Sequence, residues 1–293
     1  MTTVDLPSVT APAARPRTCA MSPVVKLSAG FLLVIVLVAL LADWLAPLPY
    51  TAQNLAARLK PPLTEAGGTM HWLGTDQLGR DILSRMVFAI RSSILIAVMG
   101  TLIGAVVGTA LGFAAARLRG VVDQAIMMAV DAQAAIPALF LALTMLAFFG
   151  NNIVLFIILV SVDGWDRYTR LARGLVVSEQ ESDYINAVEA LGAGAPRVIL
   201  RHLLPNIAAA LVVQATLNFP GTILLETSLS FLGLGVQPPG TSLGLMLGEG
   251  RRYLLNAWWI AVFPGLAIFL TTLSMSLFGD WLRDRFDPTS ERH

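Results

Sequence analysis

Charge is what this sequence has least of. Only 13% of its 293 residues are Asp, Glu, Lys or Arg, and the formal net charge is +1. Soluble domains carry about 25% charged residues, and a chain with half that density would expose wide apolar patches to water. The near-zero balance removes the electrostatic case for nucleic-acid binding. Lysine is almost absent: Lys26 and Lys60 follow Val25 and Leu59, so no Gly-Lys pair and no phosphate-binding P-loop exists. Histidine is confined to His71, His202 and His293, and cysteine to Cys19. That set excludes an internal disulfide and offers no cluster at metal-ligand spacing. No Gly-x-Ser-x-Gly elbow occurs either. The sequence therefore carries no hydrolytic, nucleotide-cleaving or metal centre, and any uphill work it performs draws on another chain or on an ion gradient.

Apolar residues are abundant, at 56% with a mean hydropathy of +0.71. A membrane-spanning helix needs about 20 of them in a row. Uncharged runs over 27–42, 92–116, 206–225 and 253–279 mark the candidates. The run 132–162 is longer and is interrupted by Gly150-Asn151-Asn152. It reads as two spans, with Asp131 or Asp163 in or beside the bilayer. A central Asp costs roughly 2.5–3.5 kcal/mol, which the neighbouring Leu, Ile and Phe side chains offset. Six helices result, and the fold class is an all-α membrane protein. The uncharged stretch 227–248 is rejected as a span because Gly233, Gly235, Pro238, Pro239, Gly240 and Gly244 break helices. Residues 1–26, rich in Pro, Ala, Thr and Ser, read as a disordered cytoplasmic tail. The first run reads as an uncleaved anchor.

The remaining organisation follows in order. Residues 27–91 form the first span and an extracytoplasmic loop, in which 81–90 is expected as an amphipathic helix lying on the outer surface. Residues 92–280 form a five-helix core with a cytoplasmic loop over 166–205, and 281–293 form a second cytoplasmic tail. With the N-terminus inside, the inner segments carry Arg15, Arg17, Lys26, Arg117, Arg119, Arg167, Arg170, Arg173, Arg197, Arg201, Arg283, Arg285 and Arg292. The outer ones carry only Arg58, Lys60, Arg80, Arg85, Arg91, Arg251 and Arg252, so both termini are expected in the cytoplasm. Gly100, Gly104, Gly108 and Gly112 recur every four residues and predict a smooth ridge for close helix packing.

The most informative cytoplasmic stretch is 181–206. Ser182 or Asp183 can cap a short helix, Gly192 and Gly194 stop it, Pro196 suits the first turn of a second helix, and Pro205 is expected to end that helix. Tyr184, Ala187, Val188 and Leu191 give the first helix an apolar face at helical spacing, suited to a protein groove.

This stretch resembles the EAA loop of ABC-importer permeases at Asn186-Ala187-Val188, Gly192 and Leu204-Pro205, with Asn186 in place of the motif's Glu. Residues 71–85, from His71-Trp-Leu-Gly-Thr-Asp to Arg85, and 226–239, from Glu226-Thr-Ser to Pro239, are similar to two further signatures of the dipeptide/oligopeptide/nickel permeases. The single long loop before the second span resembles the C-type member of a permease pair. The resemblance implies a type I importer permease fold in the bacterial cytoplasmic membrane. The implied partners are a second permease subunit, two ATPases and an extracytoplasmic binding protein. It implies no cofactor on this chain, with ATP and Mg on the ATPases. The coupling segment would be Tyr184, Asn186, Ala187, Val188, Glu189, Ala190, Leu191, Gly192 and Ala193. Substrate-pathway candidates are Glu226, Asp131, Pro220 and Gly221; the reading favoured for Glu226 is instead a structural one, bonding backbone groups of the Gly-rich loop, Asp131 divides in the same way, and Asp163 and Asp166 read as structural. Peptides are the first substrate expected, with nickel or another small solute as the alternative. A self-contained secondary transporter is the rival class.

Overall fold

A computed structural model describes residues 21–286. The tail expected over 1–20, including Cys19, Arg15 and Arg17, and the end over 287–293, including Arg292 and His293, lie outside the described residues. Among the described residues the regular structure is helical apart from one small hairpin. In order it forms α1 (Pro23–Leu40), α2 (Ala42–Leu45), strands β1 (Thr64–Ala66) and β2 (Thr69–His71), and α3 (Ile82–Leu118). There follow α4 (Gly120–Ala135), α5 (Ala138–Phe149), α6 (Ile153–Val162), α7 (Trp165–Gln180), α8 (Asp183–Ala190) and α9 (Ala195–Val198). The last three are α10 (Leu204–Phe231), α11 (Leu243–Gly250) and α12 (Trp259–Phe286).

Among the described residues, Pro23–Leu40, Ile82–Leu118, Ile199–Phe231 and Trp259–Phe286 are long and apolar enough to cross a bilayer. The pair α4 and α5 makes a fifth span if counted together, with an 89° bend at Ile136-Pro137. The ten-residue α6 is apolar but short. It leads through Asp163 and Gly164, the latter left-handed at φ 110°, into α7. The expected six spans thus comprise four regular helices and a broken remainder. Pro137 supplies one break, since it lacks an N–H and biases the residue before it away from helix.

The glycine ridge fixes how the helices lie. A Cβ on Gly100 would meet Val160, one on Gly104 the Ser161 carbonyl, one on Gly108 the Trp165 carbonyl, and one on Gly112 Thr169 and Ala172. Rising numbers on α3 match rising numbers on α6 and α7, so these helices run parallel at backbone-contact distance. Thr169 Oγ1 donates to the Gly108 carbonyl at 3.1 Å across this seam. Thr222 of α10 also meets Gly100, and Ser93, in the first third of α3, accepts at 3.1 Å from the N of Leu243, the first residue of α11, which follows α10. The α10 helix therefore runs antiparallel to α3.

These directions sort the molecule into two ends. One carries the 46–81 loop, the 150–152 turn, α11 and the start of α12. The other carries the start of α1, the α3–α4 turn, α8 and α9, and the end of α12. Ile35, Ile82, Met86, Leu243, Met246 and Ile260 form the core at the loop end. Ile96, Leu146, Phe156, Val160 and Leu229 fill the middle. Phe113, Val176, Ile185, Val198, Leu203 and Ile207 fill the opposite end.

Two expectations are corrected here. Residues 81–90 do not form a separate surface helix: they are the N-cap and first turns of α3, and Ile82, Arg85, Met86, Ala89 and Ile90 are buried. Pro205 does not end the second short helix. A π-helical turn over Ile199–Leu203 joins α9 to α10, so the helix runs on through Pro205, which sits in the first turn of α10.

Candidate functional site

Helix α8 begins with Asp183 in its first turn, where a carboxylate favours the positive end of the helix dipole. It stops before Gly192, at φ 83°, a conformation that costs glycine nothing. Ala193 N then donates to the Val188 carbonyl at 3.3 Å. The sequence divides the helix into two faces. Ile185 is fully buried, and Val188 and Ala193 pack on the same core, among Phe113, Val176 and Leu203. On the other face Tyr184, Ala187 and Ala190 are exposed, and Leu191 is 88% exposed. Periodicity alone puts Val188 on the outward apolar face, and the structure corrects this: Val188 anchors the helix, with Ile185, which that periodicity leaves out, as the main anchor. Asn186 and Glu189 lie on α8, and Gly192 lies in the exposed turn that follows. Tyr184 Oη donates to Glu179 Oε2 at 3.2 Å. Partial burial, with this hydrogen bond, holds the Tyr184 phenol above its ordinary pKa.

The pathway candidates scatter. Asp131 is exposed on α4 and pairs with Arg170 Nη2 of α7 at 3.0 Å. One turn further, Arg173 donates in bidentate fashion to Asp123, from Nε at 2.5 Å and Nη2 at 2.6 Å. Asp131 is thus one rung of a strap between α4 and α7. Pro220 is half-buried inside α10 and Gly221 beside it is exposed, with open space where a side chain would stand. Glu226 is fully buried near the loop end of α10. Its Oε1 accepts from Ser230 Oγ at 2.8 Å. Ser93 and Ser242 approach the same carboxyl, while Oε2 has no hydrogen-bond partner. These serines belong to the first third of α3 and the start of α11, so Glu226 sits where three helices converge.

The loop end holds a buried charge network that spacing alone did not reveal. Asp76 is fully buried. Its Oδ1 accepts from the backbone N of Leu78 at 2.8 Å and of Arg80 at 2.9 Å. Its Oδ2 accepts from Arg80 Nε and Arg85 Nη1, each at 2.6 Å. Arg85 Nη1 also lies 2.9 Å from Glu249 Oε2 on α11, and Arg80 Nη2 3.3 Å from it. Two carboxylates thus neutralise two guanidinium groups in a protected site. Beside them, Asp81 accepts from His71 Nδ1 at 2.9 Å and caps α3 through Ser84 N at 2.8 Å. Thr75 Oγ1 donates to the Ala57 carbonyl, and Trp259 Nε1 donates to the Thr75 carbonyl at 3.1 Å. The segment 71–85 is therefore a rigid cap that ties the long loop to α3, α11 and α12. Among the described residues no group of three or more His, Cys, Asp or Glu side chains is placed to hold a metal ion.

Known proteins share this sequence and this architecture. The family described as "Binding-protein-dependent transport system inner membrane component" matches residues 100–292. The "N-terminal TM domain of oligopeptide transport permease C" matches residues 21–62. The dipeptide transport system permease protein DppC of Escherichia coli (strain K12) is 41% identical over 259 residues, 88% of this chain and 86% of that protein. The di/tripeptide transport system permease protein DppC of Pseudomonas aeruginosa (strain UCBPP-PA14) is 40% identical over the same shares. A chain of the inward-facing MetNI methionine ABC transporter aligns with a TM-score of 0.54 at 19% identity, covering 69% of this chain and 97% of that one. That likeness extends to the fold, the helical body of a type I ABC importer permease. On the strength of the family match and these identities, the chain belongs to the binding-protein-dependent transport system inner membrane components, the non-enzymatic permease subunits of ABC importers.

Proposed function

We propose that this chain is one of two permease subunits of an ATP-driven importer of short peptides, with both termini and the α8–α9 segment in the cytoplasm. A second permease subunit would complete the pathway. Two ATPases, carrying ATP and Mg, would dock at α8, and a binding protein would deliver peptide at the loop end. The observation that carries the reading is α8 itself. Tyr184, Ala187 and Leu191 project an apolar strip away from the protein, while Ile185 and Val188 fasten the opposite strip to the bundle. A helix fixed on one side and apolar on the other suits a partner's groove. Because Val198, Leu203 and Ile207 share the Ile185 core, displacement of α8 is transmitted into α10. ATP would then switch the pathway by binding one arrangement better than the other. Peptide as the substrate class follows the names of the two DppC relatives described above.

The test is uptake into proteoliposomes. The assembled transporter should accumulate radiolabelled dialanine only with its binding protein and ATP. Accumulation by this chain alone, driven by a proton or sodium gradient, would replace the reading with a secondary transporter. Uptake of nickel but not dialanine by the ATP-driven complex would replace the substrate.

A further inference from the structure

The bundle holds a polar cleft that none of the assignments above uses. Its volume is about 320 Å³, and Gln133, Pro137, Asp163, Asp166 and Arg167 line it. Its depth can be placed by packing. Gly104 is the midpoint of the uncharged part of α3, residues 92–116, and it lies against the Ser161 carbonyl and the Trp165 backbone N. Asp163 and Gly164 therefore lie halfway down the apolar body. The second break, Ile136-Pro137 between α4 and α5, borders the same cleft. Non-helical backbone at that depth is tolerated only where protein covers it or where it faces a watered cavity. Gly164 is covered by Asn218, whereas Ile136, Pro137 and Asp163 line the polar cleft, which puts the α4–α5 break in the second case.

The charges are of both signs: Arg167 attracts Asp163 electrostatically, but among the described residues no ion pair within 4 Å joins them. Arg167 Nη1 donates to Asn218 Oδ1 at 2.7 Å, and Asn218 is buried at 3% exposure. This holds the guanidinium in place while its remaining N–H groups stay available. Among the described residues neither Asp163 nor Asp166 makes a side-chain hydrogen bond or ion pair, unlike Asp123 and Asp131 on the neighbouring strap. A cleft near 320 Å³ is at the small end of ligand sites, which run from about 300 to 1,000 Å³.

We propose that this cleft is a station on the pathway for a zwitterionic di- or tripeptide. Asp163 and Asp166 take its terminal ammonium and Arg167, positioned by Asn218, takes its terminal carboxylate. The inference rests on the peptide-importer reading and gives it a site. Charge pairing at mid-depth is strong enough to replace water around both termini, and exposure of Arg167 leaves the peptide free to depart. Pathway carboxylates are then Asp163 and Asp166, in place of Asp131 and Glu226.

The test uses the complete transporter in proteoliposomes with saturating binding protein. Wild type must first accumulate dialanine; if it does not, the peptide reading fails and the cleft is a separate matter. Given wild-type uptake, D163N and D166N should each lower it at least tenfold. Assembly and the ATPase activity stimulated by binding protein should stay within twofold of wild type, and D166E should recover at least half the uptake. Unchanged uptake in the D163N/D166N double variant overturns the station. If the variants do not assemble, Ala134→Cys in a C19S background decides. Ala134 lines the cleft without bearing its chemistry. Saturating dialanine should slow its modification by a cationic methanethiosulfonate at least fivefold in the vanadate-arrested complex, and an unchanged rate overturns the proposal.

Discussion

Replacing Gly112 by alanine tests the parallel α3–α7 seam, on which the placement of both ends depends. A Cβ there would lie 2.7 Å from both the Thr169 carbonyl oxygen and the Ala172 Cβ, and 3.0 Å from the Arg173 backbone N. Ordinary contact is about 3.5 Å or more, so the helices must part by close to 1 Å. No rotamer change relieves the clash, because the obstructing atoms are backbone or Cβ. Overpacking of this kind costs about 1–3 kcal/mol. Parting the seam also stretches the Thr169-to-Gly108 hydrogen bond, worth about 1 kcal/mol. Gly174 is the internal control: it lies in α7, the other helix of the seam, with nothing within 4 Å of an added Cβ. There alanine should gain up to about 1 kcal/mol in helix propensity. Gly112→Ala gains the same propensity, so the two differ only by the overpacking and the stretched bond, and Gly112→Ala should fall about 2–4 kcal/mol below Gly174→Ala in unfolding by SDS titration from mixed micelles. Equal stability of the two variants would refute the packing argument.

Three further outcomes follow from the loop end. Arg85→Met strands the buried Asp76 with one guanidinium partner instead of two, and loss of a buried charge partner costs about 3–5 kcal/mol; the same SDS titration reads it. Glu249→Gln keeps an acceptor for Arg80 and Arg85 at a partly exposed site, so its cost should stay at about 1 kcal/mol; parity with Arg85→Met would dismiss Asp76 as the network's centre. Gly79→Ala combines a φ of +69° with a Cβ driven against the Asn54 carbonyl, and should speed proteolysis of the 50–81 loop several-fold without affecting cleavage elsewhere.

Parts of this molecule were legible because their causes are local. An uncharged run of sufficient length has one stable form in lipid, which is why α1, α3, α10 and α12 could be read directly. The four-residue spacing of Gly100 to Gly112 likewise admits one ridge, and Gly192 one kind of helix stop. What escaped depended on distant partners. Arg80 and Arg85 looked like surface cations because Glu249, which helps neutralise them, is more than 160 residues away. Asp131 looked like a carboxylate stranded in the membrane because Arg170 comes from another helix. Val188 fits the periodicity of the outward strip, yet the position of the Phe113 and Leu203 core turns it inward. Pro205 fits a helix stop, yet the π turn before it carries the helix on. The cleft needed both helix breaks at one depth, which neither break reveals alone.

Docking at α8 is measured most directly with Leu191→Asp. Leu191 is 88% exposed, so the substitution leaves the bundle's own packing intact. In a partner's groove it forfeits the burial of one leucine, about 1.5–3 kcal/mol, and adds the cost of desolvating a carboxylate. Co-purification from the detergent-solubilised complex should show the permease pair intact, with ATPase occupancy and ATP-driven uptake both lowered at least tenfold. Full ATPase occupancy with wild-type uptake would contradict the claim that a separate motor grips the protein at this helix.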